Sequence, residues 1–431
     1  MSGIASIHDT SEAHARSLDA ADPLSRFRER FCIPPNPNMP NESSVYMCGN
    51  SLGCMPKAVP DAIGEMCEDW ARLGVEGHFE ARDPWYPYHE SLREDYASLL
   101  GAKHDEVVAM NSLTANLHLL MTSFYRPTKE RFKILIDGPC FPSDVYAVKS
   151  QIRSRGFDPE SALIWVKPRE GEGHLREEDI VGAIDEHGDS IALVLLAGVN
   201  FYSGQYYDVP RIVKAAHASG AVAGIDLAHA VGNVPVSLHE WDADFAVWCT
   251  YKYLNSGPGA VAGAFVHERH LNRAGFKEMP RYEGWWGNDP AGRFMMTPEF
   301  EPVRRADAWS LSNPPVLGLL PVKVSLAIYK EAGFANLRER SIKLTAYLES
   351  MIESVNDGSI TIITPREPER RGAQLSLLTG THGRELHTKI TEAGVICDFR
   401  EPNVIRIAPT PLYNSFHDCW RFAQLLGSAI A

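Results

Sequence analysis

A lysine and an aspartate follow apolar stretches of the chain in positions that suit amine chemistry. Lys252 comes just after the apolar run DFAVWC (244–249), and Asp226 ends the run AVAGID (221–226). Lysine is rarely buried without a partner, and a desolvated lysine near other cations has the lowered pKa that a Schiff-base amine needs. An acid at the end of a neighbouring strand can hold a cationic ring nitrogen. Together the two residues predict a lysine that binds a carbonyl group covalently.

Each of these residues also has a purely structural interpretation. Alone, Lys252 fits a surface lysine whose amine reaches solvent, and Asp226 fits the cap of a following helix. Asp226 and His229 have a spacing that a metal could use, but no further ligands lie nearby in the sequence. The presence of Asp226 upstream of Lys252 favours the Schiff-base interpretation over the surface lysine.

A third segment, NSLTANLHLL, offers a place for an anion. Ser112 and Thr114 stand at the start of a stretch without glycine or proline, which we predict to be helical over 114–125. The first backbone N–H groups of a helix attract negative charge, and hydroxyls near its start add hydrogen bonds. An ordinary helix cap explains the segment equally well.

One motif points to different chemistry. The segment GNSLG (49–53) matches G-x-S-x-G, the nucleophile turn of α/β-hydrolases, with Ser51 as the nucleophile. That turn belongs in the middle of a sheet, after several strand–helix units, whereas only 48 residues precede this motif. The residues that suit a helix start, Pro56 and Lys57, are also displaced from Ser51. A serine hydrolase is therefore a remote alternative.

The elements that would position these residues alternate along the chain. Helix-like segments at 57–73, 114–125, 143–155, 177–187 and 209–219 are interspersed with short apolar runs. The runs are FKILI (132–136), ALIWV (162–166), IALVLLAG (191–198), AVAGID (221–226) and DFAVWC (244–249). This pattern predicts an α/β fold whose mostly parallel sheet is flanked by helices. Ligands of such sheets bind beyond the carboxyl ends of the strands.

The pattern changes after the prolines at 314–315. Helical stretches at about 316–331 and 335–354 are followed by alternating segments near 359–363, 373–378 and 404–408, and by a final helix from about 414. We predict a smaller α+β domain over 316–431 and a large domain over 49–315. An N-terminal segment, 1–48, is expected to pack with the small domain.

Composition and charge exclude several classes of protein. The net charge of −13 argues against a nucleic-acid binder, whose phosphate contacts need a basic face. None of the eight cysteines forms a CxxC pair, which fits free thiols in a reducing compartment. The N-terminus has no signal-peptide pattern, and the longest apolar run, 191–199, is too short to span a membrane. We therefore expect a cytosolic protein with no membrane or nucleic-acid partner.

Taken together, the motifs resemble those of fold-type I pyridoxal-phosphate enzymes, and in amino-acid sequence they resemble the motifs of the kynureninase family. They occur in family order over nearly the whole chain beyond residue 45. The matching stretches are YMCGNSLG (46–53), NSLTANLHLLM (111–121), FPSD (141–144), KPREGE (167–172), FYSGQ (201–205), DLAHAVGNV (226–234), WCTYKYLNSGPGAVAGAF (248–265), GWWG (284–287), LSNPP (311–315) and APTPLYNSFHD (408–418).

The resemblance implies a pyridoxal 5'-phosphate site around Lys252, which would form the Schiff base. Asp226 would pair with the pyridine nitrogen and keep it protonated, so that the ring stores electrons. Asp144 would lie close by as a second carboxylate. Phe141 would stack on the ring, and His229 would sit beside Asp226. The family fold has a seven-stranded-type sheet in the large domain.

The resemblance also implies a phosphate site and a second subunit. Leu113 and Thr114 would bind the phosphate through backbone and hydroxyl, and Tyr251 would reach it and serve in proton transfer. Pro142 and Ser143, within FPSD, belong to the same cofactor site. Trp285 and Asn313 of a partner chain complete the site in this family, which implies a homodimer.

Substrate contacts follow from the same resemblance. Arg406 matches the arginine that holds the substrate α-carboxylate, a group that suits a planar guanidinium. Without that match, Arg406 would be assigned to the surface. His78, Ser312 and Asn313 match positions that contact the aromatic ring, and they resemble the enzymes that favour 3-hydroxykynurenine.

Two positions depart from the family pattern. Ala197 stands where relatives often carry a serine near the cofactor, and Asn288 replaces a histidine near the substrate ring. Asn288 weakens the inference that the protein favours a substrate with a 3-hydroxyl group on its ring. A ring with a modified substituent, such as a methyl group, is the alternative.

The implied reaction is hydrolysis of the Cβ–Cγ bond of L-kynurenine or 3-hydroxy-L-kynurenine. The products are anthranilate or 3-hydroxyanthranilate and L-alanine. A desulfurase or an aminotransferase of the same fold is an alternative. The contexts of Cys397 and Cys419, strand-like and helical, argue against the mobile catalytic cysteine of a desulfurase. A non-enzymatic cofactor-binding protein is disfavoured because Lys252, Asp226 and Arg406 are all present.

Overall fold

The structure of the protein, a computed structural model, describes residues 9–431. The N-terminal segment predicted over 1–48 therefore lies partly outside the described residues. The strands, in chain order, are β1 (Phe31–Cys32), β2 (Val45–Tyr46), β3 (Met55–Pro56), β4 (Val107–Ala109), β5 (Lys133–Asp137), β6 (Leu163–Val166), β7 (Ile191–Ala197), β8 (Val222–Asp226), β9 (Phe245–Trp248), β10 (Gly263–Val266), β11 (Ile360–Ile362), β12 (Leu375–Thr379), β13 (Val395–Ile396), β14 (Asp398–Arg400) and β15 (Val404–Ile407).

The α-helices fall between and after these strands. They are α1 (Glu12–Ala21), α2 (Val59–Leu73), α3 (Gly77–Glu80), α4 (Arg93–Leu100), α5 (Leu113–Phe124), α6 (Pro142–Ser154), α7 (Pro159–Ala162), α8 (Glu177–His187), α9 (Val209–Ala218), α10 (Glu268–Leu271), α11 (Val316–Ala332), α12 (Phe334–Val355), α13 (Gly383–Glu392) and α14 (Phe416–Ile430). None of the helices in residues 9–431 has the length and apolar character that crossing a bilayer requires.

A seven-stranded sheet forms the centre of the large domain. Its strand order is β4-β10-β9-β8-β7-β5-β6. The neighbouring strands from β9 to β6 are parallel, and β10 runs antiparallel to both β4 and β9. This arrangement confirms the predicted mostly parallel sheet.

Both faces of this sheet are covered, which explains its continuous apolar strands. Along β7, Leu193 and Leu195 pack into one hydrophobic core, whereas Val194 and Leu196 pack into the other. Successive side chains of a strand point to opposite faces, so a strand between two helical layers must be apolar throughout. Helices α5 and α6 belong to one layer, and α8, α9 and α11 belong to the other.

Two strands of the large sheet were not predicted from the sequence. β4 is only three residues long. β10 (GAFV) follows the glycine-rich segment after Lys252, and its small residues resemble a continuation of that turn. Glycine fits at Gly263 because a Cβ there would lie 2.2 Å from the Trp248 ring.

The small domain contains a four-stranded antiparallel sheet of order β11-β12-β15-β14. Helices α12 and α14 cover it and share a core with Leu375, Leu377, Ile405 and Ile407. Helix α13 connects β12 to β13.

The described part of the N-terminal segment contacts the small domain. Ala15 of α1 and Val45 belong to the small domain's core, and β2 pairs in parallel with β13. Past β2, the Met47 carbonyl accepts a hydrogen bond from the Ala408 N–H (2.8 Å). The exact boundaries at residues 48 and 315 stay a prediction.

A buried ion pair holds the segment that leads to Ser312 and Asn313. Arg93 of α4 donates from Nη2 to both carboxylate oxygens of Asp307, at 2.8 Å each. Both side chains are buried. Burial alone would raise the pKa of Asp307, but the His89 hydrogen bond and the Arg93 charge together hold that pKa below its ordinary value. The carboxylate is therefore ionised and depends on its partners.

We expect Arg93→Met to lower the free energy of unfolding by about 3–5 kcal/mol, because it removes the guanidinium that hydrogen-bonds the buried Asp307 carboxylate and leaves only the more distant Arg305, whose Nε lies 3.8 Å from Oδ2. Urea unfolding followed by fluorescence measures the change. Arg30→Met is the matched control, since Arg30 pairs with Glu331 at the surface and should cost at most about 1 kcal/mol. Equal losses for the two variants would contradict the assignment.

Candidate active site

A pocket of about 160 Å³ opens at the edge of the large sheet where three parallel strands end. Asp137, Ala197 and Asp226 are the last residues of β5, β7 and β8, and all three line the pocket. Lys252 enters it from the turn that follows β9. The position agrees with the rule that ligands bind beyond the carboxyl ends of parallel strands.

The Lys252 amine faces a buried histidine. Its Nζ lies 3.0 Å from Nε2 of His229. Burial, and then the charge of Lys252, hold the pKa of His229 well below its ordinary value. His229 is therefore neutral and accepts a hydrogen bond from the amine. Its other nitrogen, Nδ1, is buried and has no hydrogen-bond partner within residues 9–431.

Two buried carboxylates lie beside each other in the pocket. Asp226 accepts a hydrogen bond from the Ala228 N–H (2.7 Å). Burial, and then the charge of Asp226, raise the pKa of Asp144 well above its ordinary value. The Asp144 Oδ1 atom has no hydrogen-bond partner in the described chain. Asp144 and Asp226 can therefore still accept a hydrogen bond from a cationic group of a ligand.

The first turns of two helices meet at the pocket. Leu113 and Thr114 begin α5, and Ser143 lies in the first turn of α6. The Thr114 and Ser143 hydroxyl oxygens are 2.8 Å apart, and all three residues line the pocket. N–H groups of a first turn have no partner within their helix, so this end of the pocket suits an anion such as phosphate. Pro142 begins α6 without lining the pocket.

Two aromatic rings flank the lysine. The centroid of the Phe141 ring is 5.7 Å from Lys252 Nζ, and that of Tyr251 is 6.0 Å away. Phe141 remains 41% exposed, which leaves a ring face free for stacking. Burial raises the pKa of the Tyr251 hydroxyl, so this phenol keeps its proton at neutral pH.

Arg406 lies next to the pocket but does not line it. Its Nη1 donates to the carbonyl of Phe201 (2.6 Å), a residue that does line the pocket. Its Nε donates to Asp398 (2.7 Å), and its Nη2 donates to the same carboxylate. The guanidinium is buried and already paired, in contrast to the surface arginine that the strand alone suggested.

Besides Pro142 and Arg406, five other predicted site residues do not line this pocket within one chain. His78 packs edge-on against Trp85, with 5.6 Å between ring centroids. Ser312 and Asn313 are exposed in the segment before α11.

The remaining two lie in the GWWGND segment. Trp285 donates from its indole N–H to the Arg293 carbonyl (3.1 Å) and is 41% exposed. Asn288 accepts through its side-chain oxygen from the Glu301 N–H (2.8 Å).

Trp285 belongs to a cluster of exposed and half-buried aromatic and methionine side chains, which we call the aromatic surface. Its rings pack against one another at centroid distances of 5.5–5.7 Å. Its members are Phe79, Tyr86, Trp285, Phe294, Met295 and Met296. Met295 and Met296 are 73% and 77% exposed. Contiguous apolar patches of this kind commonly mark protein–protein contacts.

Sequence reasoning missed several residues of the pocket. Asp137 is 1% exposed and accepts hydrogen bonds from Asn200 Nδ2 (2.9 Å), the Tyr207 hydroxyl (3.1 Å) and the Ala197 N–H (3.2 Å). It ends an apolar strand just as Asp226 does, so the same reasoning would have found it. Asn200 and Phe201 follow β7 in a loop; Phe201 opens the FYSGQ motif, but no role in the site was predicted for either residue.

The alternative nucleophiles do not have the geometry that they would need. Ser51 follows β2, which pairs only with β13 and lies outside the large sheet, and α2 begins as late as Val59. This is not the strand–turn–helix of a hydrolase. Cys419 is buried within α14, and burial raises the pKa of the Cys397 thiol well above its ordinary value. Neither cysteine has the character of a mobile nucleophile.

The pocket therefore combines an amine, the carboxyl groups of three aspartates, an anion site and a free ring face. A planar cofactor fits this combination if it carries a carbonyl group, a ring nitrogen that can be protonated, and a phosphate. Asp144 Oδ1 and His229 Nδ1, two buried polar atoms with no hydrogen-bond partner among residues 9–431, belong to residues that line this pocket and could bond such a ligand.

Solved structures of similar shape show the fold. An apo cysteine desulfurase from Thermococcus onnurineus superposes with a TM-score of 0.72 at 16% identity, covering 89% of this chain and 94% of the other. The C-DES protein, in a structure with glycine covalently linked to its pyridoxal-phosphate cofactor, gives 0.75 at 14% identity, with 93% and 98% covered. The fold is thus that of fold-type I pyridoxal-phosphate enzymes.

Sequence relatives are far closer. A protein from Koribacter versatilis named kynureninase is 52% identical over 97% of this chain and 98% of its own length. One of the same name from Myxococcus xanthus is 51% identical over 97% of both chains. A family model described as the kynureninase C-terminal domain matches residues 337–426. With identity at this level over nearly the full length, the chain belongs to the kynureninase family.

Proposed function

We propose that the protein hydrolyses the Cβ–Cγ bond of L-kynurenine or 3-hydroxy-L-kynurenine, giving anthranilate or 3-hydroxyanthranilate and L-alanine. The observation that carries this proposal is the placement of the Lys252 amine in one pocket with Asp144 and Asp226, in a chain of this family. Transamination or desulfuration has no comparable support, because the relatives at such coverage carry the name kynureninase.

The residues present fit pyridoxal 5'-phosphate. Lys252 would hold its carbonyl carbon, Asp226 its ring nitrogen and Phe141 its ring face. Its phosphate would be bound by Leu113, Thr114, Ser143 and Tyr251. Pro142 would begin helix α6, which contributes Ser143. Bound in this way, the cofactor supplies an electron sink for charge that develops on the substrate's Cα and Cβ.

The side chains then move protons at defined atoms. The Lys252 amine is placed to remove the proton from the substrate's Cα, and the neutral His229 keeps that amine oriented. Tyr251 keeps its phenolic proton because burial raises its pKa. It is our candidate for general acid–base catalysis at the carbonyl oxygen or at Cβ. Asp144, beside Asp226, would stabilise the positive charge of the cofactor's ring nitrogen.

Arg406 is proposed to bind the substrate α-carboxylate. Its guanidinium contacts Phe201 at the pocket wall and is held by Asp398. A fork of N–H donors suits a carboxylate. Because Arg406 already donates to Asp398 and Phe201, the substrate carboxylate would accept hydrogen bonds from the remaining N–H groups of Arg406 or share the arginine with Asp398.

We propose a homodimer in which each active site is completed by the partner chain. Trp285 and Asn313 do not reach the pocket of their own chain, and the aromatic surface beside Trp285 exposes apolar side chains. Burial of this surface against a second copy would be favourable by the hydrophobic effect. A symmetric pair would then bring these residues to the partner's pocket.

His78, Asn288, Ser312 and Asn313 are proposed to surround the substrate ring in that dimer. Histidine, serine and asparagine offer hydrogen bonds to a ring hydroxyl, so we propose a slight preference for the 3-hydroxy substrate. Asn288 departs from the family pattern, and it supports a modified ring, such as a methylated one, as the alternative substrate.

Two proposals concern the chain as a whole. The eight cysteines are all free, which fits a reducing compartment, and we propose a cytoplasmic location. We also propose a large domain over 49–315 and a small domain over 316–431, with the segment before residue 49 packed on the small domain. The match of residues 337–426 to a C-terminal domain model supports this division.

Replacement of Lys252 tests the cofactor assignment. We expect Lys252→Ala to lose the visible absorbance of lysine-bound cofactor and at least about a hundredfold in turnover, because the amine both holds the cofactor and moves a proton. Absorbance spectra and anthranilate fluorescence measure the two effects. Lys330→Ala, whose side chain is 70% exposed, should behave like the wild type. Retention of the absorbance in Lys252→Ala would refute the assignment.

Mixing two inactive variants tests the composite site. Lys252→Ala and Asn313→Ala should each lose most activity alone. After exchange of subunits, about a quarter of the sites would combine an intact Lys252 with an intact Asn313, so about a quarter of the activity should return. A mixture that stays inactive, although native mass spectrometry shows that mixed dimers form, would place both residues in the same chain's site.

A side-by-side assay tests the reaction and the ring preference. Steady-state kcat/KM for kynurenine and 3-hydroxykynurenine should favour the 3-hydroxy substrate by no more than about tenfold, the scale of one added hydrogen bond. Alanine and the aromatic amine should form in equal amounts. Accumulation of a keto acid instead would indicate transamination, and a preference for kynurenine would contradict the roles given to His78, Ser312 and Asn313.

A further inference from the structure

A buried carboxylate faces two imidazoles near the ends of the strands that lie opposite the active site. Glu106 precedes the start of β4, His267 follows the end of β10, and His239 lies in the loop that leads to β9. These positions are at the edge where β9 begins, whereas Asp226 and Lys252 lie at the edge where β8 and β9 end. The mechanism proposed above uses none of the three residues.

The geometry is that of three ligands converging on one point. One ligand atom from each residue lies within 4.8 Å of the other two. Glu106 Oε1 is 2.9 Å from His239 Nδ1 and 3.8 Å from His267 Nδ1. Zinc binds nitrogen and oxygen at about 2.1 Å, so its tetrahedral ligands stand about 3.4 Å apart. The distances to Glu106 bracket that value.

The charge of Glu106 lacks a permanent counterion. The residue is fully buried, and within residues 9–431 its carboxylate has no lysine or arginine nitrogen within 4.0 Å. The nearby Arg269 pairs with Asp242 and Asp244 instead. The two imidazoles stack with centroids 4.8 Å apart, which disfavours charge on both. Buried charges are paired or bind metals.

Neighbouring groups already orient two of the ligands. The Glu268 N–H (2.8 Å) and the Lys103 N–H (2.7 Å) each hold one oxygen of Glu106. The Arg269 N–H donates to His267 Nδ1 (3.2 Å), so that this nitrogen carries the lone pair. The proton of His267 is then on Nε2, which lies 3.3 Å from Asp242. A carboxylate on the far nitrogen of a histidine is typical of metal ligands.

We propose that Glu106, His239 and His267 bind a divalent transition-metal ion of the zinc class. The ligand atoms are Glu106 Oε1, His239 Nδ1 and His267 Nδ1, and water fills the fourth position. Binding requires the proton of the neutral His239 imidazole to lie on Nε2, so that Nδ1 is free for the ion, and it replaces the Glu106 hydrogen bond to His239 and the Arg269 hydrogen bond to His267. The partial exposure of His239 gives the ion and its water a way in. Imidazole and carboxylate ligands select this class over calcium or magnesium.

The site would tie three separate parts of the large domain together. It joins the entry to β4, the exit of β10 and the loop before β9. β10 runs antiparallel to both of its neighbours, so the ion would brace the one part of the sheet where the strand direction reverses.

Zinc titration of the cofactor-loaded protein tests the proposal. Competition with a chromophoric chelator should show that the wild type binds one Zn²⁺ per chain. His267→Asn should bind this ion at least about tenfold more weakly. Asparagine can still accept the Arg269 hydrogen bond, so the helix start is kept. His239→Asn gives a second, partly exposed test position, and unchanged visible absorbance and kynurenine cleavage show that both variants fold.

The matched control is His382→Ala, because His382 is 89% exposed on its side chain and lies in the small domain. This variant should keep the wild-type zinc affinity. The proposal is overturned if the wild type takes up no zinc, or if His267→Asn and His239→Asn bind it as the wild type does. Neither result would bear on kynurenine cleavage, which is measured separately.

Discussion

Burial of two carboxylates side by side is the constraint on which the active site depends. Asp144 and Asp226 are both nearly inaccessible to water, and the charge of one raises the pKa of the other. The adjacent His229 is neutral, so it offers no positive charge. Lys252 is a cation that the pocket itself supplies to these acids, and a further cationic group beside them would be stabilised. Such a pocket selects a protonated ring through charge rather than through shape alone.

The sheet makes this arrangement possible. Parallel strands deliver their last residues to one edge, and here β5 and β8 both end in an aspartate. Helices α5 and α6 begin at the same edge, so the partial positive charge of their first turns faces the anionic end of a ligand. Negative and positive groups thus occupy opposite ends of one pocket. The antiparallel β10 has its end at the other edge and contributes nothing to this chemistry.

Periodicity predicted most of the large sheet because its strands are buried on both faces and separated by helices. It missed β4 and β10, since three residues or a run of small ones carry no periodic signal. Lys252 and Asp226 were found because a charge at the end of an apolar run is unusual. Asp137 obeys the same rule and was overlooked. The pairing of Arg406 with Asp398, and the distance of Trp285 and Asn313 from their own pocket, depend on long-range packing that no local pattern encodes.

The short stretch between β2 and Gly53 has a geometric consequence. At one end, Met47 is hydrogen-bonded to Ala408, which follows the strand that carries Arg406. At the other end, the Gly53 N–H donates to the Tyr251 carbonyl (2.8 Å), beside Lys252. One covalent segment therefore spans from the arginine strand to the lysine turn. The arginine strand and the lysine turn are therefore tied to each other through seven consecutive residues, 47–53, as well as through the helices that join the two domains.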